Sequence, residues 1–172
     1  ARGFGFIRRV PVADETDFVK QATLDGWPDF SVRQLTQHDG ERYIIQYIEP
    51  VGSNKAAVGL DIASEYNRRE AAFLSLRTGE VRLTGPITLV QATGKPLQSF
   101  LIVLPIYKNA GTPTTVEERE RLGFGWSYAP LIIEEVLTNL RLRPDYFAAE
   151  INDITKPEKE TQFFDNRDLS KG

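Results

Sequence analysis

A single histidine, His38, and the complete absence of cysteine bound what this chain can do covalently. A serine triad would have to recruit His38 as its base, while a thiol nucleophile or a thiolate zinc site is ruled out. His38 stands in the turn sequence His38-Asp39-Gly40, which reads as an exposed loop position. Carboxylates offer more. Glu134-Glu135 reads as the solvated side of a helix, whereas Glu150 and Asp153 near a strand end could hold a cation or act as an acid and base pair. A hydrolase or metal-dependent enzyme using Glu150 and Asp153 is therefore one reading. The pairs Gly3-Phe4-Gly5 and Gly123-Phe124-Gly125 lack the lysine and hydroxyl residue of a phosphate loop, so they read as places where backbone packs closely. Basic residues come in pairs, Arg8-Arg9 and Arg68-Arg69, without a stripe of interleaved aromatics, so a nucleic-acid partner is not expected.

One constellation carries more information. Asp61, Arg68, Arg69 and Thr84 flank a helix and the strand after it, close to an apolar strand ending at Tyr107, with Trp126 further on. Aromatic walls with a few hydrogen-bonding groups have the composition of a small-ligand pocket. The same charges also suit a structural ion pair between Asp61 and the arginines, and both readings stand.

The elements that must position these residues follow from pattern. The acidic run Asp14-Glu15-Thr16-Asp17 predicts a helix over about 13–24. Phe30–Leu35 and Tyr43–Ile48, separated by the His38 turn, read as an antiparallel hairpin. Ser64 as N-cap and Gly79 as stop bracket a second helix. Arg82–Val90 and Ser99–Tyr107 read as strands, the second so continuously apolar that it belongs in the middle of a sheet. Asn109–Leu122 reads as a long loop with one helical turn over Glu117–Arg119, and Gly123–Tyr128 as a short strand. Pro130 opens a further helix with Ile132, Val136 and Leu140 spaced by four. Tyr146–Ile151 and Thr161–Phe164 close the pattern, and Gly3–Ile7 reads as the tail of a preceding element. Such a tally is α+β with an antiparallel sheet.

The chain has 172 residues, enough for one domain or two small lobes, and a net charge of −3 from 21 basic and 24 acidic residues. It contains no methionine, so Ala1 is read as something other than a native start. No apolar run is long enough to span a membrane.

Four motifs in order, Gly59-Leu60-Asp61-Ile62-Ala63-Ser64, Arg69 in a helix ending Arg77-Thr78-Gly79, Leu83-Thr84-Gly85-Pro86-Ile87, and Leu104-Pro105-Ile106-Tyr107, resemble the CHASE domain. The segment Gly125-Trp126-Ser127-Tyr128-Ala129-Pro130 looks like the bacterial branch of that family, and the similarity covers about residues 4–153. The resemblance implies the extracytoplasmic sensor of a membrane receptor, as in histidine kinases, diguanylate cyclases and cytokinin receptors. It implies a periplasmic or extracellular location, no catalysis in the domain itself and no cofactor. It also implies a PAS-like antiparallel sheet with flanking helices, here a sensor domain over 1–165 with a ligand-binding lobe at about 27–130. A smaller membrane-proximal PAS-like lobe would follow, then a polar tail at 166–172. The N-terminal stalk helix, through which the full receptor would form a homodimer, is expected to be missing.

Ligand residues transfer in part. Thr84 matches the pocket threonine of the family. Where cytokinin receptors carry an aspartate for the adenine ring this chain has Arg68, and a pocket threonine on the central strand corresponds to Val103. A guanidinium donor in place of a carboxylate acceptor reverses the hydrogen-bond polarity. The expected ligand is therefore a small anion such as a carboxylate, bound by Asp61, Arg68, Arg69, Thr84, Val103, Tyr107 and Trp126, and not an adenine-type cytokinin. A protein-interaction module without any small ligand is the remaining alternative.

Overall fold

The structure, a computed structural model, describes residues 3–89, 97–109, 111–133, 135–136, 148, 150–154 and 161–165. Strand β1 (Phe4–Val10) is followed by helix α1 (Glu15–Leu24), as the acidic run at its start predicts. Next come β2 (Arg33–Gln34), β3 (Arg42–Glu49), the short α2 (Val51–Asn54) and β4 (Leu60–Asp61). Helix α3 (Tyr66–Thr78) leads to β5 (Arg82–Leu83), β6 (Ile87–Leu89) and the long β7 (Leu97–Tyr107). Helix α4 (Val116–Leu122) and β8 (Gly123–Ile132) complete the main sheet, and β9 (Glu150–Asp153) with β10 (Thr161–Asp165) forms a separate two-stranded one.

The main sheet runs β2-β4-β3-β1-β8-β7-β5, with β6 also on β7, and only the β2–β4 pair is parallel. This is the α+β, PAS-like architecture that the sequence predicts. The strand expected over Arg82–Val90 is broken into β5 and β6 at Thr84, Gly85 and Pro86. Four further details differ. Gly3–Ile7 is no trailing end: β1 lies mid-sheet between β3 and β8, and Ile7 is fully buried. The Phe30–Leu35 and Tyr43–Ile48 segments do not form a hairpin, because β4 inserts between them, Asp61 pairing with both Gln34 and Ile44. The helical turn expected over Glu117–Arg119 is present but longer, running as α4 to the end of the segment 109–122, capped by the Thr115 hydroxyl, which accepts from the Glu118 N–H at 3.2 Å.

The fourth difference is Pro130, which lies inside β8 and does not open a helix. Leu101, opposite Pro130, turns both its backbone groups away from β8: its N–H donates to Thr84 Oγ1 and its C=O accepts from Thr84 N–H, each at 2.9 Å. Leu101 and Pro130 therefore exchange no ladder bonds, and the donor that proline lacks points past the start of β1, where none is needed. Residues 133, 135 and 136 are helical, and Leu140 lies outside the described residues. So do Tyr146 and the tail 166–172, and β9 and β10 are the strands described beyond residue 136.

One face of the sheet is covered by α3. Trp126, Tyr107 and Val103 face it, Trp126 and Val103 without exposed surface. The Trp126 indole N–H donates to Ala72 O and Ser75 Oγ, both at 2.9 Å, and the Tyr107 hydroxyl donates to Leu76 O at 2.7 Å. The Tyr43 ring packs at 4.5 Å from that of Trp126. Small residues at Ala71, Ala72 and Ser75 let the helix settle onto these rings. Each large apolar side chain buried this way contributes roughly 1.5–3 kcal/mol.

Candidate functional site

Helix α3 positions the key cation. Its first turn is capped by the Glu65 carboxylate, which accepts from the N–H groups of Asn67 (2.9 Å) and Arg68 (3.1 Å). Its last turn ends at Gly79, whose φ of 76° is a left-handed conformation that glycine adopts without steric cost. Ser64, predicted as the cap, instead donates from its hydroxyl to Asp61 O just before the helix. Between the caps, Arg68, Ala72, Ser75 and Leu76 recur at the helical period on the buried side. Arg68 is thus the outermost member of the stripe that faces the sheet, and only 4% exposed.

Beside it the sheet and helix part. A cavity of about 380 Å³ opens where Tyr128 and Leu101 lie two residues beyond Trp126 and Val103 on the same face. Ile45, Ile48, Leu60, Ile62, Leu89 and Pro130 give it apolar walls, and Gln34, Ser53 and Asn54 add polar edges. Two guanidinium groups reach it. Arg68 Nη2 donates to Thr88 O at 2.9 Å, and its Nη1 stands 3.4 Å from Glu65 Oε2. Burial draws the Arg68 pKa below the ordinary arginine value while Glu65 draws it back; an arginine so placed stays cationic. Arg33 Nη2 donates to the carbonyls of Ala56 and Val58. No aspartate or glutamate is among the described residues that line the cavity.

Tyr128 also lines the cavity. It is 3% exposed, and its hydroxyl has no hydrogen-bond partner among the described residues. Its ring lies over Gly5 of the neighbouring strand, where a Cβ would stand 2.3 Å from the ring carbon Cε1. Burial raises the pKa of this phenol, so it is neutral and able both to donate and to accept.

The predicted site residues separate around this cavity. Arg68 lines it. Val103, Tyr107 and Trp126 are neighbours on the same face, but α3 seals them. Thr84 is buried, with its hydroxyl and N–H committed to the backbone of Leu101. Arg69, one residue from Arg68, turns elsewhere, its Nη1 donating to Ala63 O at 3.2 Å and its guanidinium lying 5.8 Å from the Tyr66 ring. Asp61 has no exposed surface and is held by Tyr43 N–H (2.8 Å), Ala63 N–H (3.0 Å) and His38 Nε2 (2.7 Å). The ion pair between Asp61 and the arginines does not form, because His38 occupies that place. Glu150 and Asp153 stand three positions apart on β9, an odd spacing that sends their side chains to opposite faces. Among the described residues, no group of three or more acidic or histidine side chains is placed to hold a metal.

A model of the CHASE domain matches residues 1–164. The chain belongs to the CHASE family. CHASE domains are extracytoplasmic sensor modules of receptors, and this one has its cavity between the sheet and the N-terminal half of α3. No curated protein matches the chain. Among the described residues, no helix is long and apolar enough to cross a membrane.

Several residues of this CHASE site escape a sequence reading. His38 is not an exposed loop histidine: its side chain is 15% exposed and bonded to Asp61. Arg33, Tyr128 and Leu101 look like ordinary strand residues; the register of β7 against β8 puts Leu101 and Tyr128 on the cavity's face, and Arg33 comes to it from β2. The close-packing expectation for the glycine pairs holds at Gly5, directly beneath Tyr128.

Proposed function

We propose that this CHASE domain is the small-molecule-sensing part of a transmembrane receptor of histidine kinase or diguanylate cyclase type, and that its ligand is an anion such as a carboxylate. One observation carries the reading: a mostly apolar cavity presents two arginines and, among the described lining residues, no acid, while Glu65 beside Arg68 serves as the cap of α3. In such surroundings a guanidinium gains most from a planar anion, which it can meet with two parallel N–H donors. The walls supply apolar burial for the rest of the molecule. Adenine-type cytokinins are poor candidates, because Arg68 stands where cytokinin receptors carry the aspartate that accepts from the adenine ring.

The domain does no chemistry on its ligand. Binding biases one arrangement of a homodimeric receptor over another, by as much as the ligand prefers that arrangement. The cavity beside Trp126 favours this reading over a module that binds protein alone, and the divergence of Glu150 and Asp153 speaks against a hydrolase. Calorimetric titration with small carboxylates and their neutral amides tests it. Acids are expected to bind and amides to bind at least tenfold more weakly, with Arg68→Met removing the difference. Tight binding of an uncharged adenine derivative would overturn it.

A further inference from the structure

We propose that the wide hollow beside Trp27 is an anion-collecting antechamber of the cavity, and that Lys55 and Arg33 draw small anions such as carboxylates into it. Its service to the receptor rests on the reading that the cavity takes an anion, but its own field does not depend on Arg68. The hollow, of about 780 Å³, shares Arg33, Ser53 and Ala56 with the cavity. With Leu35, these are the exposed members of a cavity lining that is otherwise buried or half-buried. The mouth of the cavity therefore lies where the two spaces meet.

Arg33 stands at that joint. Its backbone N–H donates to Gly59 O at 2.9 Å, and its Nη2 to Ala56 O at 2.5 Å and Val58 O at 2.8 Å. Ala56 directly follows Lys55, so the guanidinium is moored one residue from the base of a second exposed cation. Carbonyls hold a guanidinium in place without cancelling its charge. Arg9, Arg42, Arg68, Arg77 and Arg82 each have a carboxylate partner. Among the described residues, neither Arg33 nor Lys55 lies within ion-pair distance of an acid. Asp29 is the only acid among the described residues that line the hollow, so two cations face one carboxylate there, on a chain whose net charge is −3. A concave surface with a surplus of one sign focuses its field and enriches counter-ions inside it. Trp27 forms a fixed wall of this space. Its N–H donates to Ala22 O at 3.3 Å, its C=O accepts from Phe30 N–H at 3.0 Å, and the Phe18 ring braces that of Phe30 edge-on at 5.7 Å.

Trp126 has no exposed surface, so collisional quenching reads Trp27, with Trp27→Phe supplying the background. Iodide is the probe, acrylamide the neutral control and N-acetyltryptophanamide the reference, all at one low ionic strength. The ratio of iodide to acrylamide quenching should exceed that of the reference at least ~2-fold. Lys55→Glu should bring it below the reference and Asp29→Asn should raise it. Both positions are exposed, and neither side chain makes a hydrogen bond or ion pair with a described residue, so the fold is unaffected. A ratio equal to the reference, or one that neither variant moves, overturns the proposal. Acetate, benzoate and succinate are then mixed with the domain in stopped flow. Lys55→Glu should slow the association of whichever binds at least ~3-fold and leave its dissociation unchanged, as loss of a rim charge does. An unchanged association rate overturns the antechamber. Iodide enrichment with no carboxylate bound upholds the collecting hollow and overturns the anionic reading of the cavity. A bound carboxylate without iodide enrichment does the reverse.

Discussion

At the scale of single residues, Asp61 ties three segments together: the turn at His38, strand β3 through Tyr43 N–H, and the residues entering α3 through Ala63 N–H. Asp61→Ala would leave two buried amides and the imidazole without their acceptor, a loss of about 3–5 kcal/mol. Urea unfolding measures it, and a midpoint equal to wild type would show that the carboxylate is dispensable. The tyrosines make a second case. Burial, reinforced by Glu41 and opposed by Arg9 and Arg69, pushes the Tyr43 phenol up to about 12, and burial also raises Tyr107 and Tyr128. The folded state therefore holds these protons after an unfolded chain, titrating near 10, has begun to lose them. The stabilisation is complete below about pH 10 and lost as pH rises toward 12. Unfolding followed across that window should show a falling midpoint, and a flat profile would contradict the burial. None of this was legible in the string. A turn signature at His38 predicts backbone conformation, but the partner lies in β4, brought alongside by pairing that local sequence does not encode.

At the scale of elements, the Thr84 hydroxyl substitutes for a strand carbonyl between β5 and β6, accepting the Leu101 N–H. Thr84→Val should cost about 1–2 kcal/mol in chemical denaturation, and Thr84→Ser most of that less, because serine keeps the acceptor. Equal losses in both would assign the effect to packing. Elements with strong end signals were readable: α1 from its acidic start, α3 from Gly79 at its end, though Glu65 and not Ser64 caps its start, and β7 from its unbroken apolar run. Where signals were degenerate the reading slipped. Apolar residues around Pro130 fit a helix as well as a buried strand, and the decision fell to the register with Leu101, a residue of another strand. The site was half legible for the same reason. Arg68 could be chosen by its type, whereas Tyr128 is distinguished from Trp126 only by standing two residues further along, beyond the cover of α3.

At the scale of the whole molecule, a ligand that occupies the cavity only in the folded state must raise its stability. A carboxylate present at a hundred times its Kd should add about 2.7 kcal/mol, read as a higher unfolding midpoint, and Arg68→Met should abolish the increment at the same concentration. An undiminished increment in the variant would place the binding elsewhere. Trp126 offers a way to watch the event. The chain has two tryptophans, and Trp27 lines a wider hollow that adjoins the cavity through Arg33, Ser53 and Ala56. In a Trp27→Phe background the remaining indole, dry and tethered to two groups of α3, becomes an optical gauge of how firmly that helix is seated. Any guest that levers the helix off the strands will wet the ring and redden its emission, whereas one that clamps it down will leave the colour unchanged and slow the quenching.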